Sequence, residues 1–186
     1  MAAEQDLTLP KPLVLVGMMG AGKTAIGKRL ATRLNVVFTD VDIEIERAAG
    51  CSIADFFQEH GEEEFRDGER RVIKRLLAGP VGILATGGGA FMDEGTRREI
   101  AKYGISIWLK ADLETLWRRV MRRDTRPLLR TPNPRETLSK LVDERYPTYA
   151  EADITVTSTD GPPGAMVDRL LNAVKIFLAK EKSDDC

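Results

Sequence analysis

The stretch VGMMGAGKTAIGKRL, residues 16–30, contains Gly17-x-x-x-x-Gly22-Lys23-Thr24 and decides how the rest of the chain is read. Before it, residues 13–16 (LVLV) form a short apolar run; after it, Ile26, Leu30 and Leu34 recur at helical spacing. The chain therefore reads as strand, tight loop and helix, the setting a phosphate-binding loop requires. Gly17, Gly20 and Gly22 let the backbone turn and approach a polyphosphate, so that N–H groups and the positive end of the helix face its oxygens. Lys23 adds a point charge, and Thr24 places a hydroxyl where it can ligate an Mg2+ that bridges the terminal phosphates. Gly20, Ala21, Gly22, Lys23, Thr24 and Ala25 are the expected nucleotide contacts.

Length limits what the loop can serve. A chain of 186 residues is long enough for one α/β domain and too short for a nucleotide domain plus an independent acceptor domain, so any acceptor must bind within the same unit. With 28 Lys and Arg against 29 Asp and Glu, the net charge of -1 argues against a nucleic-acid binder. The two cysteines, Cys51 and Cys186, have no metal-ligand or framework spacing, and the first residues carry neither a signal nor a transit pattern. No apolar run approaches the ~20 residues of a membrane span. The expectation is a cytoplasmic protein without a membrane or nucleic-acid partner, acting as a monomer because one compact unit with an internal pocket needs no other chain.

Four further strand candidates follow the first helix, at residues 36–39, 82–86, 105–109 and 153–157, separated mostly by amphipathic helical stretches. Their alternation predicts a three-layer αβα fold on a five-stranded parallel sheet, with ligands outside the carboxyl ends of the strands. Residues 1–12 read as a loose tail, residues 13–179 as the domain, and residues 180–186 as a charged tail.

The strand ends hold the candidate chemistry. Asp40 and Asp42 follow the second strand, and in an extended chain their spacing points both carboxylates to one side. One can hold magnesium together with Thr24, the other can orient or deprotonate an acceptor hydroxyl; either can also cap the next helix. The third strand lacks an acid at its end, which leaves the metal to Thr24 and Asp40. It ends instead in Gly87, Gly88 and Gly89, three glycines in a row that are explained by something approaching the backbone closely. Arg66, among acids, can be an ion-paired helix residue or a bidentate carboxylate reader. Arg118, Arg119, Arg122, Arg123, Arg126 and Arg130 crowd a span that then turns Pro-rich, as for a helix running into a mobile lid at about residues 121–135. Arg145 stands near the end of a helical stretch that stops at Pro147, where a cation also complements the helix dipole.

Together GMMGAGKT, DVD, SIADFF with EEEFR, ATGGGA, TRPLL and ERYPTYAEAD, in that order over roughly residues 13–178, resemble the shikimate kinases. That family consists of small P-loop kinases of the nucleoside-monophosphate-kinase type. The resemblance implies transfer of the γ-phosphate of ATP, with Mg2+, to a ring hydroxyl of shikimate in aromatic amino-acid biosynthesis. It implies that Asp42 binds the acceptor hydroxyls and acts as base, and that Arg66 and Arg145 hold the carboxylate. It further implies that the backbone of Gly87, Gly88 and Gly89 lines the same pocket, and that Arg126 is the lid arginine that reaches the phosphates and works with Lys23 in catalysis. Arg119 and Pro163 match positions flanking adenine, and Phe57 and Phe65 match apolar residues beside the ring. A gluconate-type kinase, a nucleotide switch and an inactive scaffold are the competing readings. The paired TGGG and ERYPTY segments, the lack of an NKxD stretch and the full set of site residues argue against them in turn.

Overall fold

The computed structural model describes residues 7–122 and 129–184. Its five strands are β1 (Leu13–Val16), β2 (Val37–Asp40), β3 (Gly82–Ala85), β4 (Ile105–Lys110) and β5 (Ile154–Thr157), all parallel, in the order β2-β3-β1-β4-β5. β1 and β3 are buried along their whole length, as strands covered on both faces must be, which is why they read as continuous apolar runs. The edge strand β5 alternates buried and exposed residues instead.

Seven α-helices among the described residues cover the sheet: α1 (Lys23–Leu34), α2 (Val41–Ala49), α3 (Ile53–Leu77), α4 (Glu94–Tyr103), α5 (Leu113–Met121), α6 (Pro134–Tyr149) and α7 (Pro163–Asp184). α1 packs on β2 and β3 and against α7, α7 packs on β5, and α4 packs on β4 with α3 against it. Because every strand runs the same way, the loops after β1, β2 and β3 open together at the carboxyl end of the sheet.

Three boundaries differ from the sequence reading. Leu9 is buried in the core, and Pro12 accepts a backbone hydrogen bond from Ile105, so the chain joins the domain before residue 13. α6 does not stop at Pro147 but runs to Tyr149. The proline costs one helix bond, while buried Tyr149 and a hydrogen bond from the Tyr146 hydroxyl to the Ala111 carbonyl hold the last turn in place. α7 continues to Asp184, so most of the expected charged tail is helical. Of the lid span, residues 123–128, Arg126 included, lie outside the described residues; Leu129 beyond them is buried in the core.

Candidate active site

The loop after β1 is shaped by left-handed backbone at Gly17, Gly20 and Gly22, whose φ angles are 137°, 82° and 97°. Gly22 caps α1 without a side-chain acceptor, and the first turn carries no acid. The positive end of the helix thus has no side-chain cap or acid of its own, as suits an anion-binding loop. Lys23 Nζ lies across the loop, donating to the carbonyls of Gly17 at 2.6 Å and Met18 at 2.9 Å. Arg119 braces the loop from below: it donates to Gly20 O, Ala21 O and Ser158 Oγ, and its other side meets Thr159 O and Asp160. Ser158, buried, adds a bond to Ala21 O at 3.0 Å. Pro163, at the start of α7, is exposed three residues after Asp160.

Beside this loop, Thr24 Oγ1 donates to Asp40 Oδ2 at 3.1 Å, which places a hydroxyl and a carboxylate together at the phosphate side of the cleft. Asp40 has a second role. It is the N-cap of α2, with Oδ1 accepting from the Asp42 N–H at 3.2 Å, so capping and the Thr24 contact coexist. Asp42 is helical, in the first turn of α2, and the extended-chain argument for its direction does not hold. The strand ends at Asp40 because its carboxylate starts the helix one residue later.

The three glycines after β3 explain where Asp42 goes. None has a positive φ, so their need for hydrogen as a side chain is a matter of space. A Cβ on Gly87 would lie 2.8 Å from Asp42 Oδ1, and one on Gly88 would lie 3.3 Å from Arg145 Nη1. On Gly89 it would overlap Arg66 Nη2 and come within 3.0 Å of Cζ. Each glycine thus receives one of the three charged groups read from the sequence as acceptor contacts, brought from α2, α6 and α3.

Arg66 Nη1 donates to Glu69 Oε2 at 2.6 Å. Glu69 is only 1% exposed, and burial pushes its carboxyl above the ordinary range, with the Arg66 charge and hydrogen bond opposing and the nearby Asp42 and Asp93 charges reinforcing. Arg66 is thus an ion-paired helix residue, with Nη2 also reaching Glu62 Oε1 at 3.5 Å, and the same Nη2 faces Gly89. Phe65, buried, packs on Phe57 with ring centroids 4.3 Å apart and places a ring under the Arg66 guanidinium. Arg145 has a buried Nη1 with no hydrogen-bond partner. A buried donor left unmade is costly, and this one sits against a half-exposed glycine, where an anionic ligand would satisfy it.

The family model described as shikimate kinase matches residues 19–175, most of the chain. The chain belongs to the shikimate kinase family. A shikimate kinase of Paramagnetospirillum magneticum is 53% identical over 173 residues, covering 93% of this chain and 89% of that protein. One of Cereibacter sphaeroides is 56% identical, covering 89% and 83% respectively. Among solved structures, a shikimate kinase from Acinetobacter baumannii in complex with shikimate is 36% identical, with a TM-score of 0.83 over 88% of this chain and 92% of that one. A gluconokinase from Sinorhizobium meliloti 1021, at 15% identity and a TM-score of 0.64, shares the fold. Within this shikimate kinase framework, two residues escaped sequence reasoning. Glu69 is one more acid in an acid-rich helix, and Tyr149 lies beyond a proline that appeared to end its helix.

Proposed function

We propose that the protein is an ATP-dependent phosphotransferase that moves the γ-phosphate of ATP to a ring hydroxyl of shikimate. The products are shikimate 3-phosphate and ADP, on the route through chorismate to the aromatic amino acids. The observation that carries this reading is the convergence of one carboxylate and two guanidinium groups on three adjacent glycines, each giving its neighbour room that a Cβ would crowd. Shikimate offers one carboxylate and several hydroxyls, the complementary inventory.

In this reading Arg66 and Arg145 hold the carboxylate, Arg145 through its unpartnered Nη1. Asp42 accepts a hydrogen bond from the reacting hydroxyl and takes its proton as the new P–O bond forms. The backbone of Gly87, Gly88 and Gly89 binds the ring. Gly20, Ala21, Gly22, Thr24 and Ala25 cradle the phosphates, Lys23 neutralises charge on them, and Arg126 closes over them from the lid. Arg119 and Pro163 lie toward adenine. Thr24 and Asp40 suit Mg2+, which takes few protein ligands and completes its shell with phosphate oxygens and water. When bound, that ion neutralises the phosphate charge. Phosphoryl transfer needs positioning and charge neutralisation more than a strong base, and the absence of a histidine from the site is no obstacle. The protein works as a cytoplasmic monomer on two small molecules; among the described residues, no helix is long and apolar enough to cross a membrane.

The test is ADP release from ATP and Mg2+ with shikimate, with gluconate, and with no acceptor. Stimulation by shikimate alone is the expected result. Equal release in all three arms would overturn the reading.

A further inference from the structure

Three glycines in sequence give a chain with almost no intrinsic preference for the direction of each peptide plane. A loop that presents its backbone to a ligand needs that direction fixed by something outside itself. Tyr149 is fully buried at the end of α6, its ring near Trp108 and Tyr146. Its hydroxyl donates to the Gly88 carbonyl and lies 3.8 Å from Met18 Sδ in the phosphate loop. Burial pushes this hydroxyl up to about 12, against the opposing charge and hydrogen bond of Arg145, so it remains a donor at neutral pH.

The peptide joining Gly88 to Gly89 is trans, and in a planar trans peptide the carbonyl and the following N–H point in opposite directions. Pinning Gly88 O to a buried hydroxyl therefore turns the Gly89 N–H to the other side, where the glycine is half-exposed beside Arg66. Among the described residues, neither the Gly88 nor the Gly89 N–H donates to a backbone carbonyl. We infer that Tyr149 is a positioning residue for the acceptor: by holding the Gly88 carbonyl it aims the Gly89 N–H into the cleft bounded by Asp42, Arg66 and Arg145. The inference rests on the shikimate reading above. Tyr149 touches neither substrate. Its hydroxyl acts on the acceptor side, where it holds the Gly88 carbonyl beside Arg145.

The experiment is Tyr149→Phe in the full chain, which keeps the ring and removes the hydroxyl. The KM for shikimate should rise about tenfold, the effect of one misaligned hydrogen bond, while the KM for ATP stays within about twofold. An unchanged shikimate KM would overturn the inference, as would a parallel rise in both KM values with a lowered Tm, the mark of a merely structural role. A second measurement needs no variant. In 15N-labelled wild-type protein, the Gly89 amide resonance should move on addition of shikimate, and a stationary resonance would overturn the inference. Wild-type protein that releases no ADP in response to shikimate would instead bring down the reaction reading, and the positioning role with it.

Discussion

The phosphate loop and the acceptor loop both depend on glycine, for different physical reasons. At Gly17, Gly20 and Gly22 the requirement is first conformational, a left-handed φ that other residues adopt only under strain, with space a second limit at Gly17 and Gly20. At Gly87, Gly88 and Gly89 the backbone is ordinary, and what glycine supplies is room for Asp42, Arg145 and Arg66. The first requirement is local, so it is written in a spacing that can be read off the chain. The second is tertiary: the partners of the three glycines come from residues 23 to 57 positions away, and no local pattern names them.

That contrast makes the two loops fail differently. The largest loss should follow Lys23→Met, which removes the cation that the proposed mechanism sets against the phosphates. Turnover is expected to fall about 10²–10³-fold while the KM for shikimate changes little; a variant with near-normal turnover would remove Lys23 from the mechanism. Next come paired alanine substitutions. Gly89→Ala drives a methyl into Arg66 and should raise the KM for shikimate by roughly 10–100-fold with the KM for ATP unchanged. Gly20→Ala, whose Cβ would lie 2.9 Å from Val120 in a left-handed backbone, should do the reverse. If both variants disturb both substrates equally, the separation of the two loops is broken.

The Arg66–Glu69 pair sharpens the acceptor side. Arg66→Ala strands a buried carboxylate and should cost about 3–5 kcal/mol of stability as well as acceptor binding. Adding Glu69→Gln should return part of the stability and none of the binding, measured by denaturant unfolding and shikimate titration. The single Glu69→Gln variant also has a pH signature. The Glu69 carboxyl is raised above 4.5 in the fold, so the native state holds its proton more tightly than the unfolded chain does. Wild-type stability therefore declines as pH rises from about the ordinary value of 4.5 through the raised one, and this contribution does not return at higher pH. Unfolding curves of the two proteins should accordingly diverge in the glutamine variant's favour across that window. Parallel curves would mean that the buried carboxyl is not raised. The smallest effect is a control for glycine itself: Gly68, within α3, meets nothing within 4 Å of an added Cβ, so Gly68→Ala should stabilise by about 0.5–1 kcal/mol without touching either KM.

Much of this architecture was legible in the sequence. The alternation of short apolar runs with amphipathic stretches yields the five strands within a residue or so, and the Gly-Lys-Thr spacing yields the phosphate loop. Asp42, Arg66 and Arg145 were readable as chemistry but not as geometry. The Asp40–Asp42 spacing fits a strand as well as a helix start, and only the capping bond of Asp40 decides between them. Glu69 was hidden because an acid on an acid-rich helix announces neither its burial nor its partner. Tyr149 was hidden because a proline ordinarily stops a helix, and here tertiary packing of two tyrosines carries the helix past it.

The most direct test of this account is calorimetric titration of shikimate into the wild-type protein and Gly89→Ala side by side, with ATP binding measured on both. The account predicts one shikimate site in the wild type, weakened at least about tenfold in the variant, and equal ATP affinity in the two proteins. Equal shikimate affinity would contradict it, because the close approach of Arg66 to Gly89 would then have no part in holding the acceptor.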